Sequence, residues 1–453
     1  MLLKQRGMEE MVANLQRLIR INSVGDPHTV TPEHPYGIGA FNALRFMKEL
    51  ALRDGFQVLD FDNHAIAIVL GEGEERIDVV CHLDVVSEGV GWTKDPFGGE
   101  IVDNQMYGRG TQDNKGPAMA AYTALKDIKE RLEAKQFKLK RQLRVVLGCD
   151  EERTMDDIKH YISKAGEPTF AFTPDGYFPL SIGEKGALMW TLKGKVFAGF
   201  DALDGGVQCN VIAPTAQARF TSLIPEILIE RFNQAKIQHT IETTPDGIVV
   251  HVEGKAAHAS RPELGDNATV KLLELIATAT KEPLANLLYT VFRDPYGESA
   301  GLSFTGEAMG KLTLNLGVLR IQNGELYAEI DCRYPIECDS HDLTRRLQER
   351  LIGLELSLDY DAKPVLNDEN DPMIQILLKR YAEWSKDATS RPIISGGVTY
   401  SKVIRHCVAF GPHRQDEPSL AHQADECIDL QHLERLVEVY AGAMLDLAGD
   451  DHE

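Results

Sequence analysis

The order of apolar and polar residues divides the chain into regions of different texture. Residues 65–70 and 77–81 are short apolar runs bounded by Gly and acidic residues, the pattern of buried strands, and 143–147 and 170–172 read as further buried strands. Between them, Ala121, Leu125, Ile128 and Leu132 recur at helical spacing across 115–132. Near the N-terminus Val12, Leu15, Leu18 and Ile19 mark one face of an amphipathic helix. This alternation over residues 1–182 predicts an α/β sheet. From Gly183 the texture becomes that of a mixed α+β region, through GALMWTLKGKV, GGVQCNVIAP, GIVVHVEGKAAHA and KLTLNLGVLRIQNGELYAEIDCRYP. Helical spacing returns after Asp371-Pro372 with Ile374, Leu377, Leu378 and Tyr381. A last helix carries Leu430, Leu433, Val437, Tyr440, Met444 and Leu447 on one face.

Residues with metal-binding chemistry sit where the early apolar runs end. His82-Leu83-Asp84 follows 77–81, Asp150-Glu151-Glu152 follows 143–147, and Thr173-Pro174-Asp175 follows 170–172. Open α/β sheets place their sites at these carboxyl ends. Asp113 lies in GRGTQDNKG before the 115–132 helix, and His422 lies in the last segment. Imidazoles mixed with carboxylates suit Zn²⁺ or Mn²⁺. Two His and three acids hold two ions if one acid bridges, and a paired site activates water near neutral pH. The pattern points to a two-metal hydrolase. His422 is remote in sequence from the other ligands. The economical arrangement is a catalytic domain in two pieces, 1–182 and 374–453, with 183–373 inserted.

Each motif has a plainer alternative. His82 and Asp84 flank one residue on an extended segment and so point to the same side. The pair reads as a ligand with an acid orienting its ring, or as a buried His hydrogen-bonded to a neighbour. The glycines of GRGTQDNKG allow a tight turn that brings Asp113 inward. A phosphate-binding loop is the rival, but Lys115 is followed by Gly116 and Pro117 instead of Ser or Thr. Three adjacent acids repel one another unless a cation compensates, although a helix N-terminus also accommodates acids such as Asp150 or Asp156. Glu151 and Glu152 suit a division between general base and ligand. Asp175 alone reads as a turn residue, and His422 alone as an ordinary His.

The net charge of −21 argues against nucleic acid or an anionic membrane as a main partner. Hydrophobic residues at 43% and charged ones at 26% argue against wholesale disorder. Seven Cys without a CxxC pair fit reduced thiols better than a disulfide framework. No run approaches the length of a membrane span or a signal h-region, so the expected location is the cytoplasm.

HLDVV, GRGTQDNKG, DEE, TPDG and the late HQADE together resemble the aminoacylase/carboxypeptidase G-like di-zinc metallopeptidases. The long inserted region resembles the bacterial PepV-type (Xaa-His) dipeptidases within that family. The resemblance implies a zinc exopeptidase-like α/β catalytic domain, with a mixed sheet flanked by helices, plus an inserted α+β lid domain. It implies two Zn²⁺ per subunit, or Mn²⁺ or Co²⁺ in their place. His82 and Asp175 would hold one ion, Glu152 and His422 the other, and Asp113 would bridge. Glu151 would be the general base and Asp84 the carboxylate behind His82. His258 in GKAAHAS resembles the His that supports the oxyanion, with a surface His as the alternative. Asn210 in QCNVIAP resembles a substrate-side residue, and Gly396-Gly397 in SGGVTYSK a turn supplying backbone donors. Arg333 in DCRYP resembles the Arg that grips a terminal carboxylate, or is a strand-edge salt-bridge residue.

Two departures accompany the resemblance. Cys149 precedes DEE where a Thr or small residue is common, and His413 in GPHRQDEPSLAHQ competes with His422 as a ligand. The expected enzyme is a cytoplasmic metallo-dipeptidase acting on unblocked dipeptides or other short peptides, including Xaa-His types. An N-acyl amino-acid deacylase of the succinyl-diaminopimelate or acetylornithine type is the alternative. The long insert resembles the PepV arrangement, and that resemblance implies a catalytically complete monomer in which His258 serves its own chain.

Overall fold

A computed structural model of the chain describes residues 5–134, 138–221, 225–415, 417 and 419–449. The first four residues of the amphipathic N-terminal segment and the last four of the chain lie outside these. The chain forms two compact units. One comprises Met1–Gly183, Asn367–Ser395 and Thr399–Glu453; the other comprises Glu184–Leu366 and Gly396–Val398. Gly183 and residues 367–373, grouped with the insert on sequence, lie in the first unit, and 396–398, grouped with the catalytic pieces, lie in the second.

The first unit is a mixed sheet with helices. Its strands are β1 (Gln57–Phe61), β2 (Ala65–Leu70), β3 (Arg76–His82), β4 (Gln142–Gly148), β5 (Phe170–Thr173), β6 (Ser181–Glu184), β7 (Ile393–Ser395) and β8 (Cys407–Ala409). They lie in the order β1-β2-β4-β3-β5-β8-β6, with β7 on β6. The four in the middle, β4-β3-β5-β8, run parallel. Every residue of β3 is buried, as a parallel strand covered on both faces requires. The helices are α1 (Gln5–Ile19), α2 (Ile38–Arg53), α3 (Lys115–Glu133), α4 (Asp156–Ala165), α5 (Pro372–Ser385) and α6 (Leu430–Ala448).

Met11, Leu15, Leu18 and Ile19 of α1 join Ala118, Ala121, Leu125 and Ile128 of α3 in one core. Leu433, Val437, Tyr440, Met444 and Leu447 of α6 enter the same core. Lys115 is fully buried at the start of α3, where its Nζ donates to Leu18 O at 3.3 Å and Ile21 O at 2.7 Å. It thereby adds a donor to main-chain carbonyls at and just beyond the end of α1. That use of the amine removes the phosphate-loop alternative. Among the described residues no helix is long and apolar enough to cross a membrane.

The second unit is an antiparallel sheet of eight strands with its own core. The strand order is 240–244, 247–253, 215–220, 202–205, 313–322, 325–334, 186–195, 355–362. Burial alternates along Thr215–Phe220, the period-2 signature of a sheet with one face inward. Helices Ala268–Thr280, Pro283–Phe292 and Ser340–Arg350 supply the apolar partners of that face, with Leu272, Leu288 and Leu347 fully buried.

Candidate metal centre

The parallel strands of the first unit deliver their ends to one place. His82 is the last residue of β3, Glu151 and Glu152 follow β4, and Asp175 follows β5. Register pairs His82 with Gly148 across β3 and β4. Asp113 stands before α3, on a cis Asp113–Asn114 peptide. His422 comes from the loop after β8.

Asp113 is the centre of the group. Its Oδ1 lies 3.0 Å from Nε2 of His82, and its Oδ2 lies 3.1 Å from Nε2 of His422. Glu152 Oε1 is 3.0 Å from the same His422 nitrogen. Asp175 Oδ2 and Glu151 Oε2 are 3.6 and 4.0 Å from Nε2 of His82. Donor atoms of His82, Asp113 and Glu152 lie within 4.8 Å of one another, as do those of His82, Glu151 and Asp175. His413 enters neither group. Its ring packs on Tyr177 at 5.5 Å between centroids, and burial lowers its pKa to about 4.

The electrostatics favour a cation here. Burial, then the charge of Asp175, pushes the Glu151 carboxyl well above its ordinary range. Burial and Asp113 raise Glu152. Burial opposes charge on Asp113 too, but hydrogen bonds from His422 and His82 hold it well below the usual carboxylate value. Burial disfavours charge on His422, yet Glu152 and Asp113 push it up to about 11. Glu151 Oε1 is buried without a hydrogen-bond partner. An orphaned carboxylate oxygen among several acids is the environment a divalent cation relieves, so the donor set fits the expected metals.

Asp84 joins two parts of the centre. The ring nitrogen Nδ1 of His82 meets the main-chain O of Asp84 at 3.0 Å and its carboxylate Oδ1 at 3.4 Å. The nearer acceptor is therefore the backbone, not the carboxylate the sequence suggested. The carboxylate accepts instead from the main-chain N–H groups of Glu151 at 3.3 Å and Glu152 at 3.1 Å. Asp150 is a turn residue, accepting from Asp156 N and Thr154 Oγ1. Cys149 is buried and its thiol is pushed well above its ordinary value, chiefly by burial, so it is no thiolate.

Several scaffold residues were not singled out from the sequence. Glu426, fully buried, accepts from the main-chain N–H groups of Gly110, Gln112 and Asp113, at 3.1, 2.7 and 3.2 Å. Arg109 donates to Glu426 at 2.7 Å and to the carbonyls of Gln423, Ser87 and Glu88. This pair ties the Asp113 loop to the segment of His422. Asp157 accepts from Cys149 N at 2.5 Å, Asp150 N at 2.8 Å and the hydroxyl of Tyr400. Asn114 Nδ2 reaches Pro174 O at 2.6 Å, joining the neighbours of Asp113 and Asp175. Only HQADE hinted at Glu426, through an acid four residues after His422.

The remaining sequence candidates gather in the second unit. Ala259 N donates to Asn210 O at 2.9 Å, placing Asn210 beside the His258 segment. Arg333 is buried, and its Nε and Nη2 donate to Asp331 at 3.0 and 2.7 Å. Its Nη1 donates to Gly396 O at 3.0 Å. Gly397 follows in the same short segment.

The model of peptidase family M20/M25/M40 matches residues 79–446. YtjP of Bacillus subtilis (strain 168), provisionally named a dipeptidase, is 32% identical over 464 residues, covering 98% of each chain. A protein of Staphylococcus haemolyticus (strain JCSC1435), with the same provisional name, is 32% identical over 460 residues and 97% of each. Human carnosine dipeptidase 1 aligns with a TM-score of 0.59 at 14% identity, over 97% of this chain and 96% of that one. The Saccharomyces cerevisiae dipeptidase Dug1p aligns at 0.57 and 14%, over 98% and 97%. At such identity these two structures speak for the fold.

Proposed function

The chain belongs to peptidase family M20/M25/M40, and on that premise we propose that it is a dipeptidase dependent on two divalent cations. Its substrates are unblocked dipeptides and other short peptides, Xaa-His types among them. The observation that carries the reading is Asp113, whose two oxygens face the Nε2 atoms of His82 and His422. In this reading Asp113 would serve both ions, His82 and Asp175 would hold one, and Glu152 and His422 would hold the other. Zn²⁺ suits these donors, with Mn²⁺ or Co²⁺ able to replace it.

When bound, the cations supply Lewis-acid polarisation of the scissile carbonyl and of the attacking water. Glu151 takes the proton from that water and passes it to the departing amine nitrogen. In the metal-free fold, burial and then the charge of Asp175 raise its proton affinity above that of an ordinary carboxylate. Asp84 holds the His82 ring and the Glu151–Glu152 backbone in one frame. His258 donates a hydrogen bond to the carbonyl oxygen as negative charge develops there. Arg333 receives the substrate's terminal carboxylate, with Asn210 and the Gly396-Gly397 turn beside it.

A cytoplasmic monomer is the proposed working form, one chain supplying both Glu151 and His258. Mixing Glu151→Gln and His258→Ala chains tests this, since recovered activity would mean that subunits share sites. The activity is tested with metal-stripped protein reloaded with Zn²⁺, Mn²⁺ or Co²⁺. It is offered unblocked dipeptides, including β-Ala-His, beside N-acyl amino acids. Cleavage of the dipeptides is expected. Turnover of N-acyl amino acids alone would make the protein a deacylase, and turnover of neither would end the reading.

A further inference from the structure

His258 and Asn210 sit on segments joined by main-chain bonds, Ala259 N to Asn210 O and Ile212 N to Ala257 O, both 2.9 Å. These bonds place the His258 backbone but leave the chemistry of its ring open. The ring is set by the residue two positions on. Nδ1 of His258 lies 2.7 Å from Ser260 Oγ and accepts from the main-chain N–H of Ser260 at 3.2 Å.

A main-chain N–H only donates, so Nδ1 must present its lone pair, and the proton of the neutral ring belongs on Nε2. The Ser260 hydroxyl completes this arrangement by donating to the same nitrogen. We propose that Ser260 is a positioning residue that holds His258 in the neutral Nε2–H form, making the ring a hydrogen-bond donor before substrate arrives. The inference rests on the oxyanion role proposed for His258. In the opposite tautomer Nε2 would turn a lone pair toward the developing negative charge and oppose the reaction.

The position of Ser260 depends in turn on Gly396. A Cβ added at Gly396 would lie 2.3 Å from Ser260 Cβ and 2.6 Å from its Oγ. Glycine is therefore required for this close approach. Because Gly396 O also accepts from Arg333 Nη1, Ser260 stands between the oxyanion donor and the carboxylate-binding Arg. A fixed donor costs no reorganisation at the moment of reaction, the property that makes such groups effective.

The test uses full-length, metal-loaded protein labelled with ¹⁵N-histidine, the His258 signals being assigned by their loss in His258→Ala. Near neutral pH, Nε2 is expected to give a protonated-type resonance and Nδ1 an unprotonated one. An Nδ1–H ring would overturn the inference. Ser260→Ala keeps the main-chain donor but loses the hydroxyl. Both nitrogens should then shift toward averaged values, and kcat should fall by about 10-fold with KM little changed, the pattern of a weakened transition-state donor. Ser260→Thr should restore both readouts. If Ser260→Ala leaves the nitrogen shifts and kcat as in the parent protein, Ser260 does not position the ring. Full activity in His258→Ala would remove the oxyanion reading instead, whatever tautomer the spectra show.

Discussion

Glu426 accepts a hydrogen bond from the main-chain N–H of Asp113 at 3.2 Å and another from Gln112 at 2.7 Å. The central carboxylate of the cluster is thus held by an acid from the far end of the chain. Glu426→Gln keeps the shape but removes the charge that Arg109 faces, and it points an amide NH₂ toward main-chain donors. Breaking a buried ion pair costs about 3–5 kcal/mol. Metal retention should weaken by about 10- to 100-fold, as when a group supporting a ligand is lost. Denaturant unfolding and competition with a chromophoric chelator read the two effects. A variant unchanged in both would show that the clamp is dispensable.

Glu151 and Glu152 are adjacent but should fail differently. Glu151→Gln is expected to keep its metals and lose at least about 10²-fold in turnover, the scale of a general base. Glu152→Ala should lose metal first. Metal analysis of the purified variants beside their rates decides between these roles, and the opposite pattern would exchange them.

The pKa shifts predict how metal loading responds to pH. Against burial, hydrogen bonds to Asp113 and Asp84 hold His82 well above the ordinary imidazole value, and Glu152 and Asp113 hold His422 up to about 11. A raised folded pKa means that the metal-free fold gains from these protonated rings below pH 6.5. For His422 that gain disappears as the pH rises through about 11. Both ligands must lose a proton to bind a cation, so affinity should climb with pH across the neutral range. Calorimetry of Zn²⁺ binding in two buffers of different ionisation heat should report release of about two protons. Release of none would mean that the rings are already neutral.

Asp331 occupies two donors of the Arg333 fork and fixes its plane. Asp331→Asn loses one side of that grip. KM for unblocked dipeptides should rise by about 10-fold with kcat less affected, since a bidentate partner sets geometry as well as charge. C-terminally amidated peptides should show no such change. An equal rise for both substrate classes would separate Arg333 from carboxylate recognition.

Four of the buried strands and the helices α1, α3, α5 and α6 were legible because each is a continuous apolar run or a clear helical stripe, whereas α2, α4 and the helices of the second unit were not read. β2, β3, β4 and β5 fall on the runs read from sequence, and α6 buries the stripe from Leu433 to Leu447. β1 was not legible because its residues are half-exposed and lack alternation. β8 is only three residues long, and its place beside β5 comes from tertiary pairing. His82, Glu152 and Asp175 could be read because they end or follow buried strands, and Asp113 and His422 because they lie in the GRGTQDNKG and HQADE motifs. Glu426, Arg109 and Asp157 could not, since they touch backbone atoms whose positions exist only once the loops have folded.

The division of the first unit across the insert also sets a timetable for biosynthesis. A ribosome releases His82, Asp113, Glu152 and Asp175 early, while β8 and His422 emerge only after the whole 184–366 unit has been made. Until then β5 has an unpaired edge, and the cluster lacks its second imidazole and the Glu426 clamp. A growing chain therefore carries the candidate centre in an incomplete form. A chain abandoned within the insert is left with an open strand edge, the feature by which incomplete products aggregate.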